Sequence, residues 1–193
     1  MIKIIHRINT VKELNMIDIE YWVEIDLRSY WKEIILNHEA FKIWDNFEEY
    51  LKNYNHKFLI LNIKESWIEN RCIDLLNKYW IKDYFLLDCE FPYIYSSVRK
   101  WNKNIAIRYS EDESLEQAIL YKNKVNYLWI DTNTKLPLNK NIIGKIKWLK
   151  TCLVSPDRWG REYDILEYKE QIQKLNFKLD MVMVWKEYVN LWD

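Results

Sequence analysis

Short apolar runs alternate with charged amphipathic stretches along the whole chain, and this rhythm constrains the fold more than any other feature of the sequence. Nine apolar runs stand out: Ile2–His6, Tyr21–Leu27, Ile34–His38, Phe58–Ile63, Tyr84–Asp88, Ile105–Arg108, Tyr127–Asp131, Cys152–Ser155 and Met181–Trp185. Several are continuous in Ile, Leu, Val and aromatic residues, which is typical of strands buried on both faces of a parallel sheet. The stretches between them carry Glu, Lys, Leu and Ile at helical spacing: Phe47–Tyr54, Trp67–Tyr79, Ser114–Tyr121, Asn141–Leu149 and Tyr163–Leu175. Strands that alternate with helices predict β-α units.

Nine candidate strands are one more than a closed eight-stranded barrel needs. Only Ser29–Glu33 separates the second run from the third, which is too short for a parallel crossover, so we expect Ile34–His38 to be a return excursion. The remaining eight runs predict an α/β fold, a compact (β/α)8 TIM-like barrel, although 193 residues is short for it. An open doubly wound sheet is the alternative. No Pro/Gly/Ser-rich linker interrupts the chain, so we expect residues 1–193 to form a single domain.

Composition excludes several classes of function. The only glycines are Gly144 and Gly160, so the glycine-rich loops that bind nucleotide phosphates, GxGxxG and GxxxxGK[ST], are absent. Lys and Arg number 29 and so do Asp and Glu, which leaves no net basic field to attract nucleic acid. We therefore expect a partner that is recognised locally, and no nucleic acid.

The cysteines and the hydropathy pattern bear on location. Cys72, Cys89 and Cys152 are far apart and form no CxxC pair, which favours a reducing, cytoplasmic environment over a disulfide framework or a zinc cluster. The first apolar stretch is interrupted by Lys3 and Arg7, unlike a secretory signal. Because no segment approaches about 18 uninterrupted apolar residues, we expect no membrane span.

Polar or ionisable residues stand at or next to the C-terminal ends of seven of the runs. They are His6 and Arg7, Glu24 and Asp26, His38, Asn62 and Lys64, Asp88, Arg108, and Asp131. In α/β barrels these strand ends form the active-site face. The pattern therefore predicts an enzyme, even though strand ends are often polar simply because loops begin there.

The second run places two acids inside a buried strand. Period-two alternation puts Glu24 and Asp26 on one face, with Val23, Ile25 and Leu27 on the other. Two such carboxylates repel each other unless a cation lies between them. A divalent ion, Mg²⁺ or Ca²⁺, suits oxygen ligands of this kind. A salt bridge to Arg7, Arg28 or Lys64 would serve equally well.

The fourth run repeats the alternation with Asn62 and Lys64. Asn62 can offer a third, neutral oxygen ligand, and Lys64 can neutralise a phosphate oxygen. His6 and His38 end separate strands that should lie near the acids. Such a pair of imidazoles can act as general base and general acid near neutral pH.

These residues form an ordered set of four short motifs. His6–Arg7, Glu24-x-Asp26, His38–Glu39 and Asn62-Ile-Lys64 resemble the HRG, ExD, HD and acid-x-Lys motifs of the glycerophosphodiester phosphodiesterase and phosphatidylinositol-phospholipase-C-like (PLC-like) barrel superfamily. The resemblance covers roughly residues 4–66, and beyond them only the strand-helix rhythm continues.

The resemblance implies a role for each motif residue. By similarity, His6 is the base and His38 the acid, Glu24 and Asp26 hold a divalent metal, and Arg7 and Lys64 bind the substrate phosphate. Asn62 stands where the family places its third acidic ligand, so we expect the ion to bind weakly or to be absent. Two further departures are Ile8 in place of the glycine of HRG and Glu39 in place of the aspartate of HD.

The resemblance further implies a short, divergent phosphoric diester hydrolase or phospholyase acting on a glycerophosphodiester-like small molecule. A non-catalytic barrel that binds a phosphorylated ligand or a protein is the alternative. A glycosidase is a third reading, but two acids on one strand are badly placed for it, since a glycosidase needs its acids on opposite sides of the bond.

Overall fold

The computed structural model describes residues 1–42 and 44–193, and within them nine strands all belong to one sheet. The strands are β1 Ile2–Ile5, β2 Trp22–Tyr30, β3 Glu33–Leu36, β4 Leu59–Ile63, β5 Tyr84–Leu87, β6 Ala106–Tyr109, β7 Tyr127–Ile130, β8 Lys150–Val154 and β9 Met181–Val184. The helices are α1 Val11–Leu14, α2 Phe47–Lys52, α3 Glu69–Lys78, α4 Phe91–Arg99, α5 Leu115–Leu120, α6 Lys140–Ile146 and α7 Asp164–Lys174, with 3₁₀ helices at Pro156–Trp159 and Lys186–Trp192. All nine apolar runs are therefore strands, as predicted.

Eight parallel strands form a nearly closed barrel. Hydrogen-bonded neighbours follow the order β5-β4-β2-β1-β9-β8-β7-β6. The two ends of this series meet through one isolated parallel bridge, Leu86 with Ile105, where the Leu86 amide donates to the Asn104 carbonyl at 2.9 Å. The predicted (β/α)8 barrel is confirmed, and the open doubly wound sheet is excluded because the series returns on itself.

The surplus strand is the expected excursion. β3 pairs antiparallel with the long second strand, from Leu27 opposite Leu36 to Tyr30 opposite Glu33. It therefore forms a hairpin on β2 and stays outside the series of eight. The chain then returns through α2 to β4, which pairs with β2 in parallel.

The core has two layers because successive strand residues face opposite sides. Val23, Ile25 and Leu27 pack outward against the helices. The opposite faces enclose a second cluster inside the barrel: Ile4, Phe58, Ile60, Phe85, Leu87, Ala106, Tyr127, Trp129, Cys152, Val154, Met181 and Met183. This apolar plug fills the interior below the polar strand ends.

Helix α4 was not among the stretches named from the sequence. Its segment FPYIYSSVR is rich in aromatic and β-branched residues, which are weak helix formers. Pro92 lies in its first turn, where a missing amide costs nothing, and Ile94 packs inward. Tertiary burial therefore selects this helix. No helix of the described ranges is long and apolar enough to cross a membrane.

Replacing Phe85 should test the interior plug. Phe85 is fully buried and lies 4.5 Å from the Tyr127 ring centroid, so Phe85→Ala should lower the free energy of unfolding by about 3–5 kcal/mol. Phe91→Ala, at a side chain that is 58% exposed, is the control and should cost about 0.5 kcal/mol or less. Urea titration of both variants gives the comparison, and equal losses would contradict the packing described here.

Candidate active site

The acids predicted to share a face of β2 lie together in the barrel interior. Glu24 and Asp26, called the carboxylate pair below, are both fully buried. Glu24 pairs in register with Ile60 of β4, and Asp26 pairs with Asn62. The pair therefore sits immediately above the apolar plug, at the C-terminal end of the barrel.

Residues from β4 reach both members of the carboxylate pair. The Asn62 amide donates to Glu24 Oε1 at 2.8 Å. Lys64 Nζ lies 3.5 Å from Asp26 Oδ1 and 3.4 Å from Asp88 Oδ2. Arg28, which shares the same face of β2, turns away and donates to the carbonyl oxygens of His38 and Lys64. Of the three cations considered from the sequence, Arg28 is the one that does not approach the acids.

The end of β1 supplies the imidazole and a guanidinium. His6 is buried, with Nε2 3.7 Å from Glu24 Oε2 and its ring 4.3 Å from that of Trp185. The Arg7 amide donates to Glu24 Oε2 at 2.8 Å, and Arg7 Nε lies 3.7 Å from Asp26 Oδ2.

The backbone of Arg7 is left-handed, with φ at 56°, and this turn aims its amide at Glu24. Ile8 does not have a positive φ, so the absence of the glycine of HRG causes no backbone strain at that position.

His38 lies in the loop after β3 rather than on a barrel strand. The Asn37 backbone amide donates to the Asp26 backbone carbonyl at 3.0 Å, and this hydrogen bond brings the loop to the rim of the site. The half-exposed His38 imidazole pairs through Nδ1 with Glu39 Oε1 at 2.9 Å. The structure thus joins His6, Arg7, Glu24, Asp26, Asn62 and Lys64 by direct contacts, whereas His38 stands beside them.

Burial dominates the electrostatics of this cluster. It raises the pKa of Glu24 to about 8, with the Asp26 charge acting in the same direction, while hydrogen bonds from Asn62 and the Arg7 amide oppose the rise. Burial also holds the pKa of His6 well below its usual range, and the charges of Arg7, Arg158, Lys64 and His38 add to that effect. Near neutral pH, Glu24 therefore carries a proton and His6 is neutral, so His6 is free to accept one.

Two oxygen atoms of the site are available to a divalent ion. Asp26 Oδ1 and Asn62 Oδ1 are buried and accept no hydrogen bond. Together with Glu24 they form a set of hard oxygen ligands, which suits Mg²⁺ or Ca²⁺. No group of three or more His, Cys, Asp or Glu side chains suited to a metal occurs in residues 1–42 and 44–193, in keeping with a set of only two acids. The residues fit a divalent cation, and its presence stays a prediction.

A second charge network continues the site along β5, β6 and β7. Arg108 forms ion pairs with Asp88, Glu113 and the buried Asp131. Because Asp88 also faces Lys64, this network is continuous with the carboxylate pair. The polar strand ends of the sequence predicted that Asp88, Arg108 and Asp131 lie on this face, but they did not predict the pairing or the part taken by Glu113.

The sequence did not predict that Asn9 binds Asp26 or that Trp185 packs on His6. The Asn9 side chain holds Asp26 twice: Nδ2 donates to Asp26 Oδ2 at 2.9 Å, and Oδ1 accepts from the Asp26 backbone amide at 2.8 Å. Trp185 packs its ring on His6 at the end of β9. Position at a strand end was the signal available for Trp185, whereas Asn9 lies in a loop and carried none.

Comparison with known proteins supports the fold described above. No family model matches the chain, and no curated protein sequence does. A glycerophosphodiester phosphodiesterase from Agrobacterium tumefaciens superposes with a TM-score of 0.69 at 10% identity, over 98% of this chain and 99% of that one. A phosphodiesterase from Oleispira antarctica, solved with the product sn-glycerol-3-phosphate, gives 0.66 at 17% identity, over 98% and 94%. At such identities the likeness shows the fold, and it agrees with the predicted (β/α)8 barrel.

The raised pKa of Glu24 predicts how stability depends on pH. The folded protein keeps a proton on Glu24 up to about pH 8, while the unfolded chain releases it near pH 4–5. The free energy of unfolding should therefore fall as pH rises from about 6.5 to 8, by up to about 1.4 kcal/mol per pH unit. Below about pH 6.5 the lowered pKa of His6 acts in the opposite direction, because the unfolded imidazole binds a proton that the folded one does not.

Glu24→Gln should remove this slope, measured by urea titration in the presence of a chelator. Glu170→Gln, at a carboxylate that is 68% exposed, is the control and should keep the slope. A parent protein whose stability is flat over this range would show that Glu24 is ionised in the folded state.

Proposed function

We propose that this protein is a phosphodiesterase that cleaves a small glycerophosphodiester-like substrate by acid-base catalysis at the carboxylate pair. The observation that supports it most is the buried His6, whose Nε2 lies 3.7 Å from Glu24 Oε2 at the C-terminal end of the barrel. The Agrobacterium tumefaciens and Oleispira antarctica neighbours with this fold are named as phosphodiesterases. The bound product of one of them, sn-glycerol-3-phosphate, suggests the substrate class.

In the proposed reaction, His6 removes a proton from the attacking hydroxyl, either water or a neighbouring hydroxyl of the substrate itself. The attacking oxygen forms a bond to phosphorus, and the bond from phosphorus to the leaving oxygen breaks. His38 gives a proton to that leaving oxygen. Water as the nucleophile yields a phosphomonoester and an alcohol, whereas an internal hydroxyl yields a cyclic phosphodiester and an alcohol.

The contact between His38 and Glu39 suits the acid role. A carboxylate that accepts from Nδ1 fixes the imidazole orientation and leaves Nε2 to donate. The same contact holds the pKa of Glu39 below its usual range, so that carboxylate is ionised near neutral pH. Glu39 thus offers the interaction that an aspartate provides in the HD motif.

Arg7 and Lys64 are placed to stabilise the phosphate as charge develops on its oxygens. Both flank Asp26, at 3.7 and 3.5 Å, and both face the open end of the barrel. A divalent ion held by Glu24, Asp26 and Asn62 would act as a Lewis acid on the non-bridging oxygens. Asp26 partly neutralises both cations, which limits what they offer to an anion.

Replacement of the two histidines should affect turnover differently, depending on the leaving group of the substrate. His6→Gln and His38→Gln should each lower turnover of a glycerophosphodiester about 10²–10⁴-fold, because proton transfer by a positioned side chain contributes that much. With an aryl phosphodiester, whose leaving group needs no proton, His38→Gln should lose far less while His6→Gln keeps its loss.

The control is His56→Gln, because His56 precedes β4 at the opposite end of the barrel and binds the Tyr21 carbonyl at 2.8 Å. Circular dichroism checks folding, and ³¹P NMR distinguishes a cyclic from an open product. If the folded parent turns over no phosphodiester in a panel with Mg²⁺, Ca²⁺ and Mn²⁺, the enzymatic proposal fails. A phosphorylated ligand bound without turnover would favour the non-catalytic alternative.

Metal binding should be weak and linked to the proton on Glu24. Affinity for Mg²⁺ or Ca²⁺ should rise with pH up to about 8, since the cation competes with that proton. Asn62→Asp should tighten binding by about tenfold or more through its added charge, and Glu24→Gln should abolish it. Titration calorimetry in buffers of different ionisation enthalpy measures affinity and proton release. Absence of binding to both the parent and Asn62→Asp would show that Arg7 and Lys64 alone compensate the acids.

A further inference from the structure

Arg158 lies at the same end of the barrel as the carboxylate pair, in the turn after β8. β8 pairs with β9, and β9 pairs with β1, which leads into His6. The 3₁₀ helix Pro156–Trp159 begins two residues after Val154, so it is carried at the C-terminal end of β8. The apolar run identified in the sequence ends at Ser155, so Arg158 was not among the predicted strand-end residues.

The turn that carries Arg158 is firmly anchored. Asp157 is buried and accepts from the Trp185 amide at 2.9 Å, and Trp185 in turn packs on His6. Ser155 is fully buried, donates its amide to Met183 at 2.8 Å and accepts from the Trp192 indole at 2.8 Å. The position of Arg158 relative to His6 is thus fixed by contacts on both sides.

Arg158 differs from the other cations at the barrel mouth in having no acidic partner. Arg7, Lys64 and Arg108 each face at least one carboxylate. Across residues 1–42 and 44–193, no carboxylate oxygen lies within 4.0 Å of the Arg158 guanidinium, which rests 4.8 Å from the Trp159 ring centroid.

The charged residues of the site affect the pKa of Arg158. Burial and the charge of Arg7 lower the pKa of Arg158, while Glu24, Asp131 and Asp26 act in the opposite direction. A partly buried guanidinium near a second guanidinium is unfavourable unless an anion joins them. Its planar fork matches the oxygens of a phosphate group.

We propose that Arg158 is a phosphate-binding residue of this site, which binds the non-bridging oxygens of a substrate phosphodiester and of the phosphomonoester product. The proposal rests on the proposed function for the location of the phosphate. It adds a cation whose charge is free for the ligand, since Arg7 and Lys64 share theirs with Asp26. The chemical class of ligand is a phosphate ester, with inorganic phosphate as its minimal form.

The experiment measures binding of sn-glycerol 3-phosphate and of inorganic phosphate by titration calorimetry, and turnover of a glycerophosphodiester panel. Arg158→Gln should weaken binding of both anions about 10- to 100-fold, because charge-assisted hydrogen bonds to phosphate are lost. The affinity of Arg158→Lys for both anions should lie between those of the parent and Arg158→Gln, since lysine keeps the charge but lacks the planar guanidinium. Arg71→Gln on the outer helix α3 removes one exposed cation and should change nothing.

A second measurement uses the unmodified chain. Phenylglyoxal modifies arginines, and mass spectrometry can follow the adduct on Arg158. Saturating sn-glycerol 3-phosphate should protect Arg158 and leave the reactivity of Arg71 unchanged. Equal modification of Arg158 with and without the ligand would overturn the proposal, whatever the folding of the variants.

The outcomes separate this proposal from the proposed function. If the parent cleaves a diester and Arg158→Gln binds and turns over as the parent does, Arg158 is not a phosphate-binding residue and the function stands. If the parent cleaves nothing but binds sn-glycerol 3-phosphate in a way that Arg158→Gln abolishes, the catalytic proposal fails and the role of Arg158 stands. If the parent neither cleaves a diester nor binds either anion, both are overturned.

Discussion

The burial of two carboxylates side by side on one strand is the constraint to which the rest of the site responds. Glu24 and Asp26 are fully withdrawn from water, and an ion buried in this way costs several kcal/mol unless it is compensated. The compensation comes from segments far apart in sequence, namely Arg7 and Asn9 after β1 and Asn62 and Lys64 from β4. The strand order β4-β2-β1 brings these groups to one place.

The compensation does not end at the carboxylate pair. Lys64 is shared between Asp26 and Asp88, and Asp88 is shared with Arg108, which also binds Asp131. Charges of alternating sign therefore extend from β2 to β7 around the barrel mouth.

Arg7 and Asp88 both adopt left-handed backbone, with φ at 56° and 59°, where side chains are disfavoured. Such strain persists only when surrounding contacts hold it, and it is typical of functional sites.

The sequence predicted most of what lies on strands and less of what lies in loops. A parallel strand buried on both faces must be continuously apolar, so the nine runs were visible, and period two then placed Glu24, Asp26, Asn62 and Lys64 in the interior. His38 was expected at a strand end, but it lies in a loop whose course depends on the Asn37 amide reaching Asp26. Such non-local contacts leave no periodic trace in the sequence, and the same reason hid Asn9 and Arg158.

The apolar plug beneath the carboxylate pair explains why Asn62 is compatible with this site. Ile4, Ile60 and Met183 close the interior below the acids, and the resulting dry surroundings raise the pKa of Glu24 to about 8. A third acid would raise it further, whereas the Asn62 amide donates to Glu24 and adds no charge.

Asp26 faces two cations, Arg7 and Lys64, and Lys64 is shared with Asp88. Among the described residues of the barrel mouth, Arg158 is the cation that no carboxylate within 4.0 Å compensates. An uncompensated cation at the rim of a dry, apolar interior favours a bound anion, so the plug that stabilises the fold also lowers the dielectric in which a phosphate ester would meet Arg158.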